Sequence, residues 1–473
     1  MYNSQVRNME KGNLTKGGIT STMLKFAFPL MLGNMLQQCY NIADTLIVGR
    51  VLGANALAAV GSSYSLMVFI TSVFIGLCMG SGAVFSMQYG SGDISELKKS
   101  IFSSGMIIGG VTVVLNILSL VLLEPIINLL NTPHELTVMV YDYLFIILLG
   151  MIPVSIANFY SFLLRSIGDS FTPLLFLILS VVMNIFLDIA FIVWIDWGIK
   201  GAAIATVASQ AMAAAGMYVY THTRLPELNV NLRYIKDFVL NLGSHKRQSV
   251  KESVKRITEY SLLTCMQQSV MNFGILMVQG LVNSFGSAVM AAFAFAVKID
   301  SFAYMPAQDF GNAFSTFIAQ NYGAGKKERI MGGIKSAVIV TTIFCLLVSV
   351  LVYIFAPQLM AIFVKDSNPE IVGIGAEYLR IEGSFYAGIG WLFLLYGFYR
   401  AVTLPKLSLV LTVLSLGTRV ILAYLLASIP SIGYHGIWWS VPIGWAIADI
   451  AGTGYFYKRF IKGNYFAGKE KTR

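Results

Sequence analysis

Charged residues are scarce in this chain of 473 residues. They make up 12% of the sequence, against roughly 25% in an average soluble domain. Hydrophobic residues make up 56%, and the mean hydropathy is +0.71. Because so few charges cannot give a fold of this size a water-soluble surface, the composition excludes an ordinary soluble protein.

Cysteine and histidine are also rare, with four of each. The cysteines all lie in apolar stretches and form no CxxC pair, which argues against a disulfide framework or a thiolate metal site. No HExxH motif occurs, and the GAGK sequence at 323–326 lacks the earlier glycine of a phosphate loop. We therefore expect no enzyme, no cofactor and no ATP-driven transport.

Long apolar runs are what the chain has instead. Each is long enough to cross a hydrocarbon core of roughly 30 Å as a helix, and none alternates as the strands of a barrel do. The sequence therefore predicts an all-α polytopic membrane protein. Its twelve predicted transmembrane spans are 24–48, 57–84, 100–123, 137–161, 170–194, 198–221, 258–283, 288–318, 333–356, 371–398, 405–428 and 434–457.

Basic residues fall almost wholly on one side of these spans, which explains the net charge of +10 without nucleic acid. The opposite loops hold only Arg50, Lys200 and Lys365. Because cytoplasmic loops carry the excess of Lys and Arg, both termini are predicted to be cytoplasmic. The expected location is a cell membrane, with lipid as the surrounding partner.

A basic stretch divides the chain into two similar halves. Gln88–Gly92 matches Asn321–Gly325, and Gly198–Gly201 matches Gly433–Gly436. We predict an N-lobe of spans 1–6 (1–221), a basic cytoplasmic linker (222–257), a C-lobe of spans 7–12 (258–460) and a basic cytoplasmic tail (461–473). Since each half has six spans, the halves are predicted to be parallel repeats around a central cavity, an architecture that suits alternating access.

Two carboxylates are predicted to lie at the same depth in the first half. Asp44 and Asp188 each lie within two helical turns of the outer end of a span, no more than roughly 10 Å below that surface. Asn184 lies one turn before Asp188, and Thr206 reaches the same level in the sixth span. Ionisable groups at such depths are costly and mark functional sites.

Oxygen ligands of this kind suit Na⁺, and two adjacent carboxylates also suit a proton. The coupling ion is therefore predicted to be H⁺ or Na⁺, with Asp44 and Asp188 as the metal ligands if it is Na⁺. Aligning Arg165 with Arg400 places Ala423 opposite Asp188, so this acid is not repeated in the second half. An acid needed only for assembly should recur in both halves, which favours a function that one half performs.

The second half also holds charges within its spans. Glu377 and Arg380 are three residues apart on one predicted helix, and we expect them to neutralise one another. Lys298 is expected to pair with Asp300, or each with another helix. We further predict that Tyr40, Asp300 and Asp309 line the substrate cavity.

The first span contains Pro29 and Gly33 about three turns before Asp44. A proline inside a helix removes a backbone hydrogen bond and clashes with the preceding turn, so it can bend the helix. We hypothesise that ion binding at Asp44 or Asp188 changes this bend and weakens the hold on a cationic substrate.

The chain resembles a bacterial MATE (multidrug and toxic compound extrusion) transporter. The resemblance is carried by the paired six-helix halves, the turn at Gln88–Gly92 with its echo at Asn321–Gly325, the RSIGDSFTP sequence at 165–173, and NIFLD at 184–188. It implies a secondary active antiporter of the bacterial cell (inner) membrane, acting as a monomer, that exports amphipathic organic cations. It also assigns the N-lobe cation site to four residues of this chain: Asp44, Asn184, Asp188 and Thr206.

Two other functions are weighed against this one. A lipid-linked oligosaccharide flippase of the same superfamily should carry extra spans and a basic cavity for pyrophosphate, which the twelve spans and the acids do not favour. A non-transporting receptor or scaffold would have no use for the duplication or the intramembrane acids.

Overall fold

The fold is all-helical, as the sequence predicts. The computed structural model describes residues 12–129, 133–230, 247–364 and 368–463, and every regular element in these ranges is a helix. The central part of the predicted linker, 231–246, and most of the predicted tail, 464–473, lie outside the described residues.

The first six predicted spans correspond to eight helices. A π-helical turn, Ile189–Trp194, extends α7. In chain order the helices are α1 (Ile19–Val51), α2 (Ala54–Ser91), α3 (Ile94–Val121), α4 (Leu123–Leu129), α5 (Thr137–Leu149), α6 (Met151–Ser166), α7 (Phe171–Asp188) and α8 (Gly198–Arg224).

The last six predicted spans correspond to seven helices, and a second π-helical turn, Tyr457–Lys462, ends the last of them. These helices are α9 (Arg247–Asn283), α10 (Ser287–Gly323), α11 (Lys327–Ala361), α12 (Pro369–Gly383), α13 (Tyr386–Ala401), α14 (Pro405–Ala427) and α15 (His435–Phe456).

Two compact units make up the chain. Unit 1 comprises Met1–Asn13 and Phe28–Cys265, and unit 2 comprises Leu14–Ala27 and Met266–Arg473. The first helix of each half is therefore shared, because α1 begins in unit 2 and continues in unit 1, while α9 begins in unit 1 and continues in unit 2. The division of α1 falls two residues before Pro29, although α1 remains one continuous helix through this proline.

The internal repeat is confirmed by matched turns. Four turns of the first half contain a residue with positive φ, and a residue 233 or 235 positions later has positive φ too. Such backbone angles are uncommon outside glycine, so their recurrence at fixed spacing reflects one duplicated fold. The pairs are Gly53 (φ 88°) and Gly286 (96°), Gly92 (77°) and Gly325 (71°), Gly168 (90°) and Thr403 (68°), and Gly198 (55°) and Gly433 (55°).

The fourth predicted span is broken rather than continuous. Residues 134–149 and 151–166 form two helical pieces that meet at an angle of 45°. Pro153 follows the break, and because it has no amide hydrogen it cannot donate to the carbonyl of Leu149. The two sides of this break are α5 and α6.

The tenth predicted span is broken at the equivalent position, between α12 and α13, where no proline occurs. Here the Ser384 hydroxyl donates to the Arg380 carbonyl over 2.6 Å, and the Phe385 amide bonds to the Glu382 carbonyl, three residues back. A side chain that competes for a helix carbonyl favours local distortion of the helix.

Apolar length identifies most of the spans. Within the described ranges, eight helices are long and apolar enough to cross a membrane, or nine if the bent pair α5–α6 forms one span. The spans outside this set, α1, α12–α13 and α15, carry Asp44, Glu382 and Asp449. Acids are not confined to these spans, because Asp188 and Asp300 lie in α7 and α10, which belong to the apolar set.

Each unit has its own core. In unit 1 the buried side chains of Val48, Phe74 and Leu144 belong to one apolar cluster. In unit 2 the rings of Phe293, Tyr378 and Trp438 pack at centroid distances of 5.0–5.5 Å and join α10, α12 and α15. Ring pairs in these edge-to-face and stacked arrangements stabilise beyond the area they bury.

The backbone at Thr403 is strained, because a β-branched residue rarely adopts a φ of 68°. Its counterpart in the first half, Gly168, has no side chain and adopts a positive φ without this strain. We predict that Thr403→Gly stabilises the protein by about 1 kcal/mol. The reverse change, Gly168→Thr, should destabilise it strongly, since a Cβ there would lie 1.6 Å from the Gly12 carbonyl oxygen. Thermal unfolding of the purified variants in detergent measures both effects; a lower melting temperature for Thr403→Gly would contradict the prediction.

Candidate ion-coupling site

The predicted site residues of the first half come together in unit 1. Asp44 lies on α1, Asn184 and Asp188 on α7, and Thr206 near the start of α8. Asp188 is 0% and Asn184 1% exposed, whereas Asp44 and Thr206 are half-buried. Three helices therefore supply one polar cluster within an apolar unit.

The two carboxyl groups are the centre of this cluster. Asp44 and Asp188 make a side-chain hydrogen-bonding contact with each other. Since an ionised carboxylate has only acceptor oxygens, such a contact requires a proton on one of the two groups. One oxygen of each, Asp44 Oδ1 and Asp188 Oδ1, is buried and accepts no hydrogen bond from a donor group.

Asn184 links the acid pair to α8. In the amide orientation that pairs both of its polar atoms, Nδ2 donates to Asp188 Oδ2 over 2.8 Å and Oδ1 accepts the Thr206 amide hydrogen over 3.1 Å. The Thr206 hydroxyl donates to the Ala202 carbonyl over 3.1 Å. Asn184 therefore fixes the position of Asp188 relative to α8.

Two tyrosines cover the acid pair. Tyr40, one turn before Asp44, is 9% exposed, and its hydroxyl contacts that of Thr206. Tyr143 of α5 is 8% exposed and is close enough to interact electrostatically with both acids. Sequence reasoning proposed Tyr40 but missed Tyr143. The sequence repeat could have identified Tyr143, because Tyr378 occupies the matching position 235 residues later.

The backbone changes its helical form directly after Asp188. Residues Ile189–Trp194 adopt π-helical geometry, and no π-helical turn follows α14, the matching helix of the second half. Short π-helical segments within α-helices occur frequently at functional sites. The acid and this backbone irregularity thus distinguish α7 from its repeat.

The oxygens of this cluster are compatible with either a proton or a monovalent metal ion. Two carboxylates, one amide and one hydroxyl supply them, and the amide oxygen also accepts the Thr206 amide hydrogen. In the parts of the chain that are described, no three His, Cys, Asp or Glu side chains form a potential metal site. The two unpartnered carboxylate oxygens are the atoms on which a monovalent cation could bind.

A second buried acid pair lies in unit 2. Asp300 of α10 and Glu382 of α12, 4% and 1% exposed, make a side-chain hydrogen-bonding contact. Tyr378 contacts Glu382, Tyr386 faces Asp300, and the Arg419 guanidinium is close enough to act electrostatically on both acids. This pair has a cation next to it, unlike the pair of the first half.

The structure revises one prediction for the second half and decides between the two alternatives of another. The predicted pairing of Glu377 with Arg380 is wrong: Glu377 pairs with His435 over 2.8 Å, and Arg380 Nε donates to the Tyr353 carbonyl over 3.3 Å. Asp300 contacts side chains of α12 and α13, which corresponds to the other-helix alternative. Asp309 is buried nine residues further along α10, roughly 13 Å from Asp300 along the axis.

A polytopic helical protein with two repeated halves and buried acids has the organisation of a secondary transporter. A family model, MatE, matches residues 29–190 and 261–425, which is more than half of the chain. The chain therefore belongs to the MatE family, whose members are membrane transporters and not enzymes. The predicted resemblance is confirmed.

Curated relatives and solved structures agree with this assignment. "Probable multidrug resistance protein YpnP" of Bacillus subtilis is 30% identical over 407 residues, covering 86% of this chain and 88% of the relative. "Probable multidrug resistance protein NorM" of Thermotoga maritima is 28% identical over 440 residues, covering 91% and 90%. The fold matches the structure titled "Crystal structure of MATE in the bent conformation", with a TM-score of 0.87, 23% identity and coverage of 97% and 98%.

Arg419 is predicted to be essential for the stability of the second acid pair. Removing one partner from a buried set of charges leaves the others uncompensated, so Arg419→Met should destabilise the protein by about 3 kcal/mol. Arg380→Met, which removes an exposed arginine, is the matched control and should cost less than about 1 kcal/mol. Thermal unfolding in detergent compares the two; equal losses would contradict the assigned electrostatic role.

Proposed function

We propose that this protein is a secondary active multidrug efflux antiporter. It exports amphipathic organic cations in exchange for inward H⁺ or Na⁺, and both termini lie in the cytoplasm. The names of the relatives, multidrug resistance proteins, support the substrate class. The asymmetry of basic residues between the two sides of the membrane supports the orientation.

The contact between Asp44 and Asp188 is the observation that carries the proposal. In a low-dielectric site two carboxylates at hydrogen-bond distance repel one another when both are ionised. A proton between them, or a Na⁺ on their unpartnered oxygens, removes this repulsion. The pair therefore has two states. In the ion-bound state the two carboxyl groups lie in contact, and in the ion-free state both are ionised and the site carries one more negative charge.

The negative state is the one that favours a cationic substrate. An organic cation near Tyr40 and Tyr143 is attracted by the acids and by the faces of the rings. When an ion binds to the acid pair, the charge that holds the substrate falls, and the substrate is released. Binding of the two cations is thus mutually exclusive, which is the requirement for antiport.

The first acid pair suits this exchange better than the second. Asp300 and Glu382 have Arg419 beside them, so a positive charge already compensates them. Asp44 and Asp188 have the neutral Asn184 at the position that matches Arg419 in the repeat. Their compensating charge has to come from a bound ion. Each charge carried inward then contributes about 2.3 kcal/mol per 100 mV of membrane potential.

Transport of a dye cation in inside-out vesicles tests the proposal, with a Na⁺ gradient and a pH gradient imposed separately. We expect one of the two gradients to drive dye transport by the wild type, and Asp188→Asn to reduce the driven rate at least tenfold, because an amide cannot exchange its charge. Asp196→Asn is the matched control: Asp196 is exposed, lies eight residues further on, and has φ 58°, which asparagine tolerates.

Each result of this experiment has a definite meaning. Driven transport that disappears only in Asp188→Asn supports the antiporter and identifies its ion. Driven transport that persists in Asp188→Asn removes this acid from the mechanism. If the wild type transports no dye under either gradient, the proposed substrate class is wrong and the flippase alternative returns.

A further inference from the structure

An ion pair joins α12 to the start of α15 in unit 2, away from the acids already described. His435 Nε2 lies 2.8 Å from Glu377 Oε1, and the two side chains are 42% and 40% exposed. The other ring nitrogen, His435 Nδ1, lies 3.0 Å from the Ile432 carbonyl oxygen. Water can therefore reach the pair, while both nitrogens of the ring are engaged.

The partners of the ring define its protonation state. A carboxylate oxygen and a backbone carbonyl oxygen are both acceptors, so each ring nitrogen must donate. A neutral imidazole has one N–H and can satisfy only one of them. Both contacts of His435 therefore exist together only when the pair with Glu377 holds an additional proton.

The first half has the same pair with a different cation. Lys200 Nζ lies 3.2 Å from Asp142 Oδ2. Asp142 and Glu377 are 235 positions apart in the sequence, and so are Lys200 and His435. A lysine ammonium keeps its charge across the physiological range, whereas histidine is the side chain whose charge changes between pH 5 and 8. The repeat therefore has one pair whose base is a lysine and one pair whose base is a histidine.

The surroundings of His435 are acidic and aromatic. Besides Glu377, α12 contributes Glu370, and both acids are close enough to act electrostatically on the neighbouring Tyr434. The Tyr434 ring stacks on the His435 ring at 4.3 Å between centroids. Among the described residues these are the titratable and charged groups that the structure gives around this turn. Residues 365–367 lie outside the described ranges.

A short covalent path joins the pair to the second acid pair. Glu377 is followed by Tyr378, whose side chain contacts Glu382. Tyr378 also packs against Trp438 of α15 at 5.0 Å between ring centroids. A displacement of α15 from α12 at His435 would therefore act on the tyrosine that contacts the buried acid.

We propose that His435 and Glu377 form a proton-operated latch between α12 and α15. The equivalent pair of the first half, Lys200–Asp142, stays closed at every physiological pH. The latch is formed when His435 is charged and opens when the proton leaves. The pair lies at the ends of α12 and α15 that are predicted to face the outside of the cell. The pH of the external medium therefore sets whether the contact between these two helices is formed. This role is separate from ion coupling at Asp44 and Asp188.

The test replaces the histidine by a permanent cation and by a neutral side chain. His435→Lys should keep the latch closed at all pH values, and His435→Gln should keep it open. We expect wild-type dye exchange in proteoliposomes, measured with equal pH on both sides, to match His435→Lys at pH 5.5 and His435→Gln at pH 8.5. The two variants should differ at least threefold from one another at each pH. Three rates that keep the same ratios at both pH values would overturn the proposal.

The reciprocal change serves as the control in the first half. Lys200→His should make the first-half pair depend on pH in the same way. Its dye exchange rate should match that of the wild type at pH 5.5 and that of Lys200→Gln at pH 8.5. Melting temperatures of the purified proteins provide a readout that needs no transport, so the latch can be tested even if the proposed substrate class is wrong. The melting temperature of the wild type should follow His435→Lys at the lower pH and His435→Gln at the higher pH. A constant difference would mean a purely structural histidine.

Discussion

A carboxyl group within a membrane-spanning unit is costly to ionise unless another group compensates its charge, and this constraint organises both halves of the molecule. Each half solves it by placing two acids in contact. Asp44 meets Asp188 between α1 and α7, and Asp300 meets Glu382 between α10 and α12. Tyrosines lie beside both pairs and supply polar neighbours.

The two acid pairs differ in the side chain that lies next to them. Asn184 and Arg419 occupy matching positions of the repeat, so a neutral amide accompanies the first pair where a guanidinium accompanies the second. A fixed cation compensates the acids permanently, whereas an amide can only orient them. The duplicated fold has thus kept its helices and turns, while only the second pair has an internal cation beside it. Under the proposed function, an exchangeable ion takes that place in the first half.

Sequence reasoning could predict features that depend on position along one helix. The rise of 1.5 Å per residue and the ends of the apolar runs predict that Asp44, Asp188 and Thr206 share one layer, and the structure has these residues in one cluster. Asn184 shares a face with Asp188 because one helical turn separates them. The repeat was also visible, since turn sequences such as Gly198–Gly201 recur. These features need no knowledge of how helices pack.

Features that depend on the rotation and packing of separate helices could not be predicted in this way. Glu382 contacts Asp300 across 82 positions of the chain, and no periodicity within either helix specifies that meeting. For Glu377 the local rule was misleading. A favourable partner three residues away, Arg380, is worth only about 0.2–0.5 kcal/mol, and tertiary packing brought His435 closer instead.

The repeat itself contains information that no single helix does. Two side chains that touch in one half predict a contact between their counterparts in the other, even where the residue types differ. Asp142 and Lys200 are an evident acid and base at matching ends of neighbouring spans, and the same spacing leads from them to Glu377 and His435. The geometry is kept while the base changes from one that is always charged to one that titrates. A duplicated transporter can therefore acquire a different response in one half through a single substitution, because the fold already holds the partner in place.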